Sequence, residues 1–343
     1  MSAKKLGVGI VGFGNITPFH IKSISELDNA EFVALSSRSA EKRSNVEKEF
    51  GVKTFANYED LVKDDTVDVV VICTPSGFHM EPAVAAAQAK KHVITEKPLD
   101  VTVARCNQMI DACELGGVTL SCIFQNRYAS DYLKLEEAVH SGKLGKLLLG
   151  NAYIKWFRDQ AYYDANEWRG TIDGDGGAVV INQGIHTIDL LLNIMDSAQS
   201  VFGNTRTVTH DIEGEDLGTA NIEFENGALG TIEASTSMYD AFPEKLEIHG
   251  EDGSVIMEAG KIIYWNTKSD GLLKIEENTE KSGASDPLAI DYTRHKNQLH
   301  SIFDDIINGK TPEVSGTEAR KSIQLINGIY ESARSGKKVL LNS

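Results

Sequence analysis

The sequence predicts an α/β fold in two parts: a doubly wound parallel sheet, followed by an α+β domain with an open, largely antiparallel sheet. Three observations predict it. Short apolar runs alternate with helical stretches up to residue 123, longer strands of alternating polarity follow, and 343 residues suit two domains. We therefore place the domain boundary between residues 123 and 124, which gives domains 1–123 and 124–343.

Five apolar runs in the first domain have the length of buried strands. They are Leu6–Val11, Glu31–Ser36, Val67–Cys73, His92–Thr95 and Val118–Phe124. Helical stretches separate them at Ala40–Phe50, Glu81–Lys90 and Val103–Leu115. Glycines follow two of these helices, where a left-handed residue commonly ends a helix. Repeated strand–helix–strand units of this kind predict a parallel sheet.

The second domain opens with a helix, Ser130–Ser141, and continues in longer strands. The clearest are Leu147–Trp156, Thr219–Phe224, Ala228–Ser237, Lys245–His249 and Ser254–Glu258. Asn226-Gly227 and Asp252-Gly253 predict hairpins, since these residue pairs tolerate positive φ. Two helices, Pro287–Asn308 and Thr317–Ser335, end the chain. The pattern predicts an antiparallel or mixed sheet with helices on one face.

Composition narrows the class of protein. The net charge of −16 and a pI near 5.0 disfavour nucleic acid and anionic membranes as partners. The four cysteines form no Cys-x-x-Cys pair and no zinc-like spacing, and they fit a reducing compartment; they are Cys73, Cys106, Cys113 and Cys122. No run has the length of a membrane span, and the start lacks a signal-peptide pattern. We expect a cytoplasmic protein without a metal.

A glycine-rich turn follows the first strand and opens a helix. Gly12 permits a tight turn, and Gly14 lets the backbone approach a pyrophosphate. Asn15 and Ile16 then lead into a helix whose first N–H groups face the anion. Thr17 replaces the third glycine of the usual motif, which we expect to loosen the helix–strand contact. This pattern indicates a Rossmann dinucleotide site; the alternative is an ordinary glycine-rich turn.

The end of the second strand indicates which dinucleotide binds. NAD-binding proteins usually carry an acidic residue there, but this chain has Ser37 followed by Arg38. Hydroxyl and guanidinium groups bind a 2′-phosphate that a carboxylate would repel. The pair therefore favours NADP(H), with NAD(H) possible; alternatively, Arg38 stacks on adenine or faces water.

Three further motifs carry a resemblance to a known family. Thr74-Pro75-Ser-Gly-Phe-His79 and Glu96-Lys97-Pro98 follow two strands of the first domain, and Gly176-Gly177 precedes Asn182, His186 and Asp189. In this order they resemble the Gfo/Idh/MocA oxidoreductases along essentially the whole chain. The resemblance implies a Rossmann domain with a C-terminal sheet used in homodimers or homotetramers, and a sugar, polyol, nucleotide-sugar or related carbonyl substrate. It also implies a cis Lys97–Pro98 peptide.

Lys97 and His186 are the catalytic candidates. Lys97 ends a parallel strand, where ligands of such sheets bind, and its ammonium can hold the reacting oxygen. Histidine titrates near neutrality and suits the proton transfer that accompanies hydride transfer. The spacing puts His186 on one helix face with Asn182 and Asp189. The alternatives are a solvated turn lysine and a structural histidine capped by Asp189.

Asn182 departs from the family pattern, since polyol dehydrogenases often carry aspartate there. The resemblance implies that Asn182 binds a substrate hydroxyl, but an amide cannot raise the basicity of His186, so no inositol substrate is assigned. Thr74, Pro75, His79 and Glu96 either line the cofactor or serve the local turns.

Aromatic and cationic residues near the start of the second domain suit sugar rings and anionic groups. The substrate-binding candidates among them are Asn126, Arg127, Arg158, Trp168 and Arg169. The alternative is a set of core aromatics with surface arginines.

We thus expect an NAD(P)-dependent oxidoreductase acting on a CH–OH or C=O group of a sugar or cyclic polyol. A UDP-sugar dehydrogenase is the second candidate, and a non-catalytic dinucleotide sensor is a third. A sensor has no need of the Lys97 and His186 acid–base pair.

Overall fold

The computed structural model describes residues 5–274 and 292–341. The described chain forms two compact units. The first unit consists of residues 5–125 together with 292–320, and the second consists of 126–274 together with 321–341.

Strands and helices are numbered along the chain. The strands are β1 (Leu6–Val11), β2 (Ala30–Ser36), β3 (Lys53–Phe55), β4 (Val69–Ile72), β5 (His92–Thr95), β6 (Leu120–Cys122), β7 (Leu147–Lys155), β8 (Ala198–Arg206), β9 (Leu217–Phe224), β10 (Leu229–Ser235), β11 (Lys245–Gly250), β12 (Gly253–Glu258), β13 (Lys261–Thr267), β14 (Gly271–Leu272) and β15 (Val339–Leu340). The helices are α1 (Thr17–Ser25), α2 (Ala40–Phe50), α3 (Tyr58–Leu61), α4 (Met80–Gln88), α5 (Val103–Gly116), α6 (Ser130–His140), α7 (Gln160–Asp164), α8 (Ile172–Asp175), α9 (Ile185–Met195), α10 (Tyr292–Ile307) and α11 (Gly316–Ser335).

The first unit contains a six-stranded parallel sheet in the order β3-β2-β1-β4-β5-β6. The order reverses between β1 and β4, which confirms the doubly wound arrangement. Ligands of open parallel sheets bind beyond the carboxyl ends of the strands at such a reversal. The turns that begin at Gly12 and at Cys73 follow the carboxyl ends of these two strands.

Local sequence patterns locate most elements of this sheet. The bounds of β1, β5 and α2 match the prediction, and Gly51 and Gly117 adopt the left-handed conformation after their helices. The sequence did not predict β3, because a three-residue strand has too few residues to show alternation.

Helix α10 belongs to the first unit, although the sequence placed it in the second domain. Leu299 and Phe303 of this helix are fully buried in one core cluster with Ile21 and Ile24 of α1. Helix α10 is therefore part of the first unit because its apolar face is buried there, although it comes late in the chain. Residues 287–291 of the predicted helix lie outside the described residues.

The second unit contains a nine-stranded sheet in the order β14-β13-β12-β11-β7-β10-β9-β8-β15. In the described part of the chain, β7 and β10 pair in parallel and the other neighbours pair antiparallel, which confirms the mixed sheet. The predicted hairpins connect β9 to β10 and β11 to β12. Helix α9 packs against β7, where a Cβ on Gly150 would lie 2.8 Å from the side chain of Leu191.

Over the described ranges, no single helix has the length and apolarity needed to cross a membrane. The segments 172–183 and 185–195 meet that standard only as a pair, with a bend of 62° between them.

Candidate active site

The glycine turn after β1 fits a dinucleotide phosphate. Gly12 has a φ of 95°, and a Cβ there would lie 2.8 Å from the carbonyl oxygen of Cys73, so only glycine is accommodated. Gly14 and Asn15 are exposed. Helix α1 then starts without a side-chain cap and without an acidic residue in its first turn. Its N-terminal N–H groups and dipole therefore favour an anion at this turn.

Thr17 braces this turn instead of loosening it. Its side chain is fully buried, and its hydroxyl accepts the N–H of Gly14 (3.1 Å) and donates to the carbonyl oxygen of Gly12 (3.3 Å). The loosening that we expected from the missing third glycine is therefore not found, because the hydroxyl supplies hydrogen bonds that a glycine cannot.

A group of basic residues surrounds the end of β2. Arg38 is exposed, Lys42 donates to the carbonyl oxygen of Phe13 (2.8 Å), and Arg43 donates to that of Ser37 (2.6 Å). Ser37 accepts the N–H of Ser39 at 3.3 Å. Arg43 was missed from the sequence, since its position one helical turn into α2 carries no motif. The local charge at this strand end is positive in an otherwise acidic protein.

His79 connects the turn after β4 to the loop after β5. It is fully buried, with Nδ1 at 2.9 Å from the carbonyl oxygen of Pro98 and Nε2 at 3.0 Å from that of Thr74. The hydroxyl of Thr74 donates to the carbonyl oxygen of Phe78. These contacts favour the local-turn role for His79. The Lys97–Pro98 peptide is cis, as the resemblance implied, and the side chain of Lys97 is half-buried.

Glu96 is part of a buried triad with His20 of α1 and His295 of α10. Its Oε1 lies 2.7 Å from Nε2 of His20 and 3.8 Å from Nε2 of His295, and its Oε2 accepts the backbone N–H of Lys97 at 3.2 Å. Among the described residues, this is the group of potential metal ligands whose donor atoms lie within 4.8 Å of one another. The 2.7 Å separation is that of a charge-assisted hydrogen bond, so we interpret the group as an ion-paired triad.

The contacts within the triad shift the pKa values of Glu96 and His20. Burial alone would raise the pKa of Glu96, but the hydrogen bond from His20 and the charges of His20, His295 and Lys97 lower it to about 2. Burial lowers the pKa of His20, but Cys73 and Glu96 outweigh this effect and raise it to about 10. Glu96 is only 7% exposed, so its contacts favour a role in holding the Lys97 loop over direct cofactor contact. The sequence showed no sign of His20, because one histidine in an apolar helix has no distinctive spacing.

In the second unit, a glycine pair precedes the segment that carries Asn182 and His186. Gly177 has a φ of 141°, and a Cβ there would meet the hydroxyl of Tyr330 and lie 2.9 Å from Oε2 of Glu215. Residues 179–183 then form a π-helical turn before α9 begins at Ile185. Asn182 is therefore not on the same α-helix as His186 and Asp189, and the helical spacing argument for a shared face does not apply.

Exposure separates two side chains of this segment from their neighbours. From Gly177 to Leu192, Asn182 and His186 are partly exposed, and every other residue is buried. The two polar residues predicted to touch the substrate are thus the ones that the segment presents at a surface.

Asp175 orients the amide of Asn182. The amide nitrogen donates to both carboxylate oxygens of Asp175, at 2.8 and 2.9 Å, and Asp175 also accepts the N–H of Gly170 at 3.1 Å. Asp175 is 1% exposed. Position 182 thus carries an amide that is held by a buried carboxylate seven residues earlier in the chain. The sequence gave no reason to select Asp175, which reads as an ordinary acidic residue in a turn.

Glu215 holds the segment that carries Asn182 and His186 through hydrogen bonds. Its carboxylate accepts the N–H groups of Ala178 (3.2 Å) and Val180 (2.8 Å) and the hydroxyl of Tyr330 (2.9 Å). Burial raises its pKa to about 7 against the lowering effect of these hydrogen bonds. The turn between Gly177 and Asn182 is therefore fixed by a second buried acid that sequence reasoning missed.

Arg127 and Asp189 form a buried ion pair. The guanidinium donates to the two carboxylate oxygens at 2.6 and 2.8 Å and to the side-chain oxygen of Asn193 at 2.7 Å, and it is 2% exposed. This placement favours a structural role for Arg127. It also shows that Asp189 binds an arginine rather than acting only as a cap for His186. Asn126 is half-buried in the short turn Gln125–Tyr128.

Arg158, Trp168 and Arg169 lie close together. Both guanidiniums stack on the ring of Tyr162, with Cζ at 5.3 Å for Arg158 and 4.3 Å for Arg169, and Arg169 also lies 5.7 Å from the ring of Trp168. Arg158 is 6% exposed and Arg169 half-buried. Arg158 is therefore not a surface arginine.

Comparison with known proteins agrees with this architecture. Residues 6–124 match the model of an oxidoreductase family with an NAD-binding Rossmann fold, and residues 132–256 match the GFO/IDH/MocA C-terminal domain. The chain is 25% identical to myo-inositol 2-dehydrogenase of Thermotoga maritima, over 97% of this chain and 98% of that protein. It is 26% identical to D-xylose 1-dehydrogenase (NADP(+)) 2 of Haloferax volcanii, over 97% and 99%.

A solved structure is similar over the same extent. The WlbA dehydrogenase of Bordetella pertussis, in complex with NADH and UDP-GlcNAcA, superposes with a TM-score of 0.88 at 29% identity, covering 99% of this chain and 100% of that one. The matched family models cover both the dinucleotide-binding sheet and the segment that carries Asn182 and His186. The chain therefore belongs to the Gfo/Idh/MocA family of NAD(P)-binding oxidoreductases.

Proposed function

We propose that this protein is an NADP(H)-preferring dehydrogenase or reductase that acts on a CH–OH or C=O group of a sugar or cyclic polyol. The observation that carries the proposal is the partial exposure of Asn182 and His186 on an otherwise buried segment. Glu215 and Asp175 hold this segment in place. Its imidazole can transfer the proton of a substrate hydroxyl group, and its amide can form a hydrogen bond with such a group.

The roles follow from side-chain chemistry. A bound nicotinamide would supply or accept the hydride. His186 takes the hydroxyl proton during oxidation and returns it during reduction. The ammonium of Lys97 binds the reacting oxygen and stabilises its alkoxide character. Asn182, with its amide nitrogen held by Asp175, turns its carbonyl oxygen the other way, as an acceptor for a substrate hydroxyl.

The cofactor preference rests on the end of β2. Arg38, Lys42 and Arg43 give this strand end a positive local charge, and Ser37 stands where a carboxylate would bind the ribose of NAD. Gly12, Gly14, Asn15 and Ile16 would hold the pyrophosphate, with Thr74 and Pro75 beside them at the neighbouring strand end.

The test is a screen of NAD(P)H absorbance with both cofactors against neutral sugars, cyclic polyols, sugar acids and UDP-sugars. Turnover of at least one sugar or polyol, with a higher kcat/KM for NADP(H) than for NAD(H), is expected. Cofactor binding without turnover of any of them would instead favour a dinucleotide sensor. A higher kcat/KM for NAD(H) would contradict the Ser37 and Arg38 argument.

A UDP-sugar dehydrogenase is the second candidate. Two observations favour it: the similarity to WlbA, whose complex contains a UDP-sugar acid, and the pair of arginines, Arg158 and Arg169, on one tyrosine ring. The same screen separates the two candidates through the ratio of kcat/KM for a UDP-sugar and for the corresponding unlinked sugar.

We also propose a cytoplasmic homodimer or homotetramer formed through the nine-stranded sheet. Leu149 of β7 and Leu229 of β10 are paired across the sheet and are 37% and 55% exposed, which suits an interface between copies of the chain. All four cysteines are unlinked and buried, in keeping with a reducing compartment. Light scattering after gel filtration measures the oligomeric state, and a monomer would contradict the assembly.

A further inference from the structure

Five side chains of the second unit form an alternating stack of rings and cations. We name them the arginine–tyrosine cluster, and they are Trp156, Arg158, Tyr162, Trp168 and Arg169. The Cζ atom of Arg158 lies 5.2 Å from the ring of Trp156 and 5.3 Å from that of Tyr162. The Cζ atom of Arg169 lies 4.3 Å from Tyr162 and 5.7 Å from Trp168. Two guanidiniums thus approach one tyrosine ring within the range of cation–π contact.

The cluster concentrates positive charge in an acidic protein. Among the described residues, Arg169 forms no ion pair, and its Nη1 donates to the carbonyl oxygen of Tyr162 at 2.8 Å. Burial lowers the pKa of Arg158, and the charge of Arg169 lowers it further. Two like charges held together in a partly desolvated place raise the free energy of the site, and an anion between them lowers it.

Buried donors add to the positive potential. In the described part of the chain, neither Nε of Arg169 nor Nε1 of Trp156 has a hydrogen-bond acceptor, and both atoms are shielded from solvent. Buried N–H groups without acceptors are rare and costly. Two buried donors of the cluster, on Arg169 and on Trp156, therefore remain for an acceptor on a bound molecule.

The backbone of Arg158 is held by hydrogen bonds on both sides of the residue. The N–H of Arg158 donates to the carbonyl oxygen of Thr236 (2.8 Å), and the carbonyl oxygen of Arg158 lies 2.9 Å from Nε2 of buried His210. Nδ1 of His210 in turn lies 2.9 Å from the carboxylate of Asp216. Anion binding at Arg158 therefore requires no ordering of this backbone.

Two contacts tie the cluster to the segment that carries His186. The amide nitrogen of Gln183 donates to the hydroxyl of Tyr162 at 3.1 Å. Asp175, which holds Asn182, also accepts the N–H of Gly170, the residue after Arg169. Hydrogen bonds therefore join the cluster to the segment that also carries Asn182 and His186.

We propose that Arg158 and Arg169 form a subsite for an anionic oxygen group, so that the substrate is an acidic sugar carrying a carboxylate or a phosphate. The planar guanidinium fork matches the oxygen spacing of both groups, and the flanking rings supply stacking surface for the sugar. This inference rests on the proposed function, since it names the substrate class of that same site.

The test measures binding rather than turnover. The protein is saturated with NADPH, which prevents oxidation of an added sugar, and titrated with D-glucose, D-glucuronate and D-glucose 6-phosphate. Binding is followed by calorimetry and by tryptophan fluorescence, because two of the three tryptophans of the chain belong to the cluster. The carboxylate and phosphate arms separate the two possible sources of the anionic group. At least one acidic sugar is expected to bind about tenfold or more tightly than glucose, as loss of a charge-assisted hydrogen bond implies.

Three variants make the result specific. Arg169→Gln is expected to weaken binding of the acidic sugar about tenfold or more while changing glucose binding less than about twofold, and Arg169→Lys is expected to retain part of the affinity. Arg206→Gln, the same exchange at an exposed arginine of the second unit, controls for net charge and should change neither.

The outcomes distinguish this inference from the proposed function. Equal binding of glucose and both acidic sugars, no binding of either acidic sugar, or an equal effect of Arg169→Gln on all ligands would overturn the subsite, even if neutral sugars are oxidised. Selective binding of an acidic sugar that is lost in Arg169→Gln supports the subsite even if the activity screen finds no turnover.

Discussion

Replacing Glu96 by glutamine tests the buried ion pair that joins α1 to the Lys97 loop. The carboxylate loses its charge but keeps its shape, and His20 loses the partner that lies 2.7 Å away. A carboxyl pKa of about 2 instead of the ordinary 4.5 corresponds to about 3 kcal/mol in favour of the folded state, counted once for the pair. Breaking one side of a buried ion pair costs on the order of 3–5 kcal/mol, which agrees.

The effect depends on pH in a defined direction. The low pKa of Glu96 adds stability that is present above pH 4.5 and is lost as the pH falls through about 2. The raised pKa of His20 adds stability that is present below pH 6.5 and is lost as the pH rises through about 10. The difference between wild type and Glu96→Gln is therefore largest between these limits, from pH 4.5 to pH 6.5, and shrinks towards pH 10.

Thermal unfolding measures this difference. At about 2–4 °C per kcal/mol, the variant is expected to unfold about 6–12 °C below wild type near pH 6. Glu81→Gln is the matched control, because Glu81 pairs with Arg105 at 2.9 Å but its side chain is 46% exposed. An exposed pair contributes roughly 0–1 kcal/mol, so this variant should stay within about 4 °C of wild type. Equal melting temperatures for Glu96→Gln and wild type at pH 6 would refute the ion-pair interpretation.

Three further predictions concern the chemistry. His186→Ala should reduce turnover about 10²–10⁴-fold with unchanged cofactor affinity, and wild-type turnover would remove this histidine from the mechanism. Ser37→Asp should lower the ratio of kcat/KM for NADPH over NADH about tenfold or more, because a carboxylate repels the 2′-phosphate; an unchanged ratio would place the preference elsewhere. Asn182→Asp puts a second carboxylate within hydrogen-bond distance of Asp175 and raises one carboxyl pKa, so the pH profile of kcat/KM should gain a titration that the added Asp175→Asn change removes. A profile identical to wild type would show that the two side chains do not interact.

Local patterns predicted the parts of the fold that depend on local chemistry. The alternation of apolar runs and helices located the parallel sheet, and the glycine-rich motif identified Gly12, where the structure leaves no room for a Cβ. The resemblance supplied the cis Lys97–Pro98 peptide and drew attention to Asn182 and His186. The roles of these residues remain predictions that the proposed assays test.

Long-range contacts account for what the sequence did not predict. The sequence grouped helix α10 with the second domain because the surface of α1 that it packs against lies far away in sequence order. Asp175 and Glu215 act through hydrogen bonds to other segments, and a single acidic residue has no periodicity that reveals such a contact. The π-helical turn at Val179–Gln183 was not predicted, because the spacing of its apolar residues does not distinguish it from the α-helix that follows.

The return of α10 to the first unit has a consequence during synthesis. A ribosome adds about 5–20 residues each second, so β1 to β6 leave the exit tunnel many seconds before Leu299 and Phe303 are made. During that interval Ile21 and Ile24 lack the side chains that cover them in the finished protein, and the nascent sheet exposes an apolar patch. A truncated gene product ending at residue 124 would keep that patch permanently, so recombinant preparation of the dinucleotide-binding half needs residues 292–320 supplied on the same chain or as a second fragment.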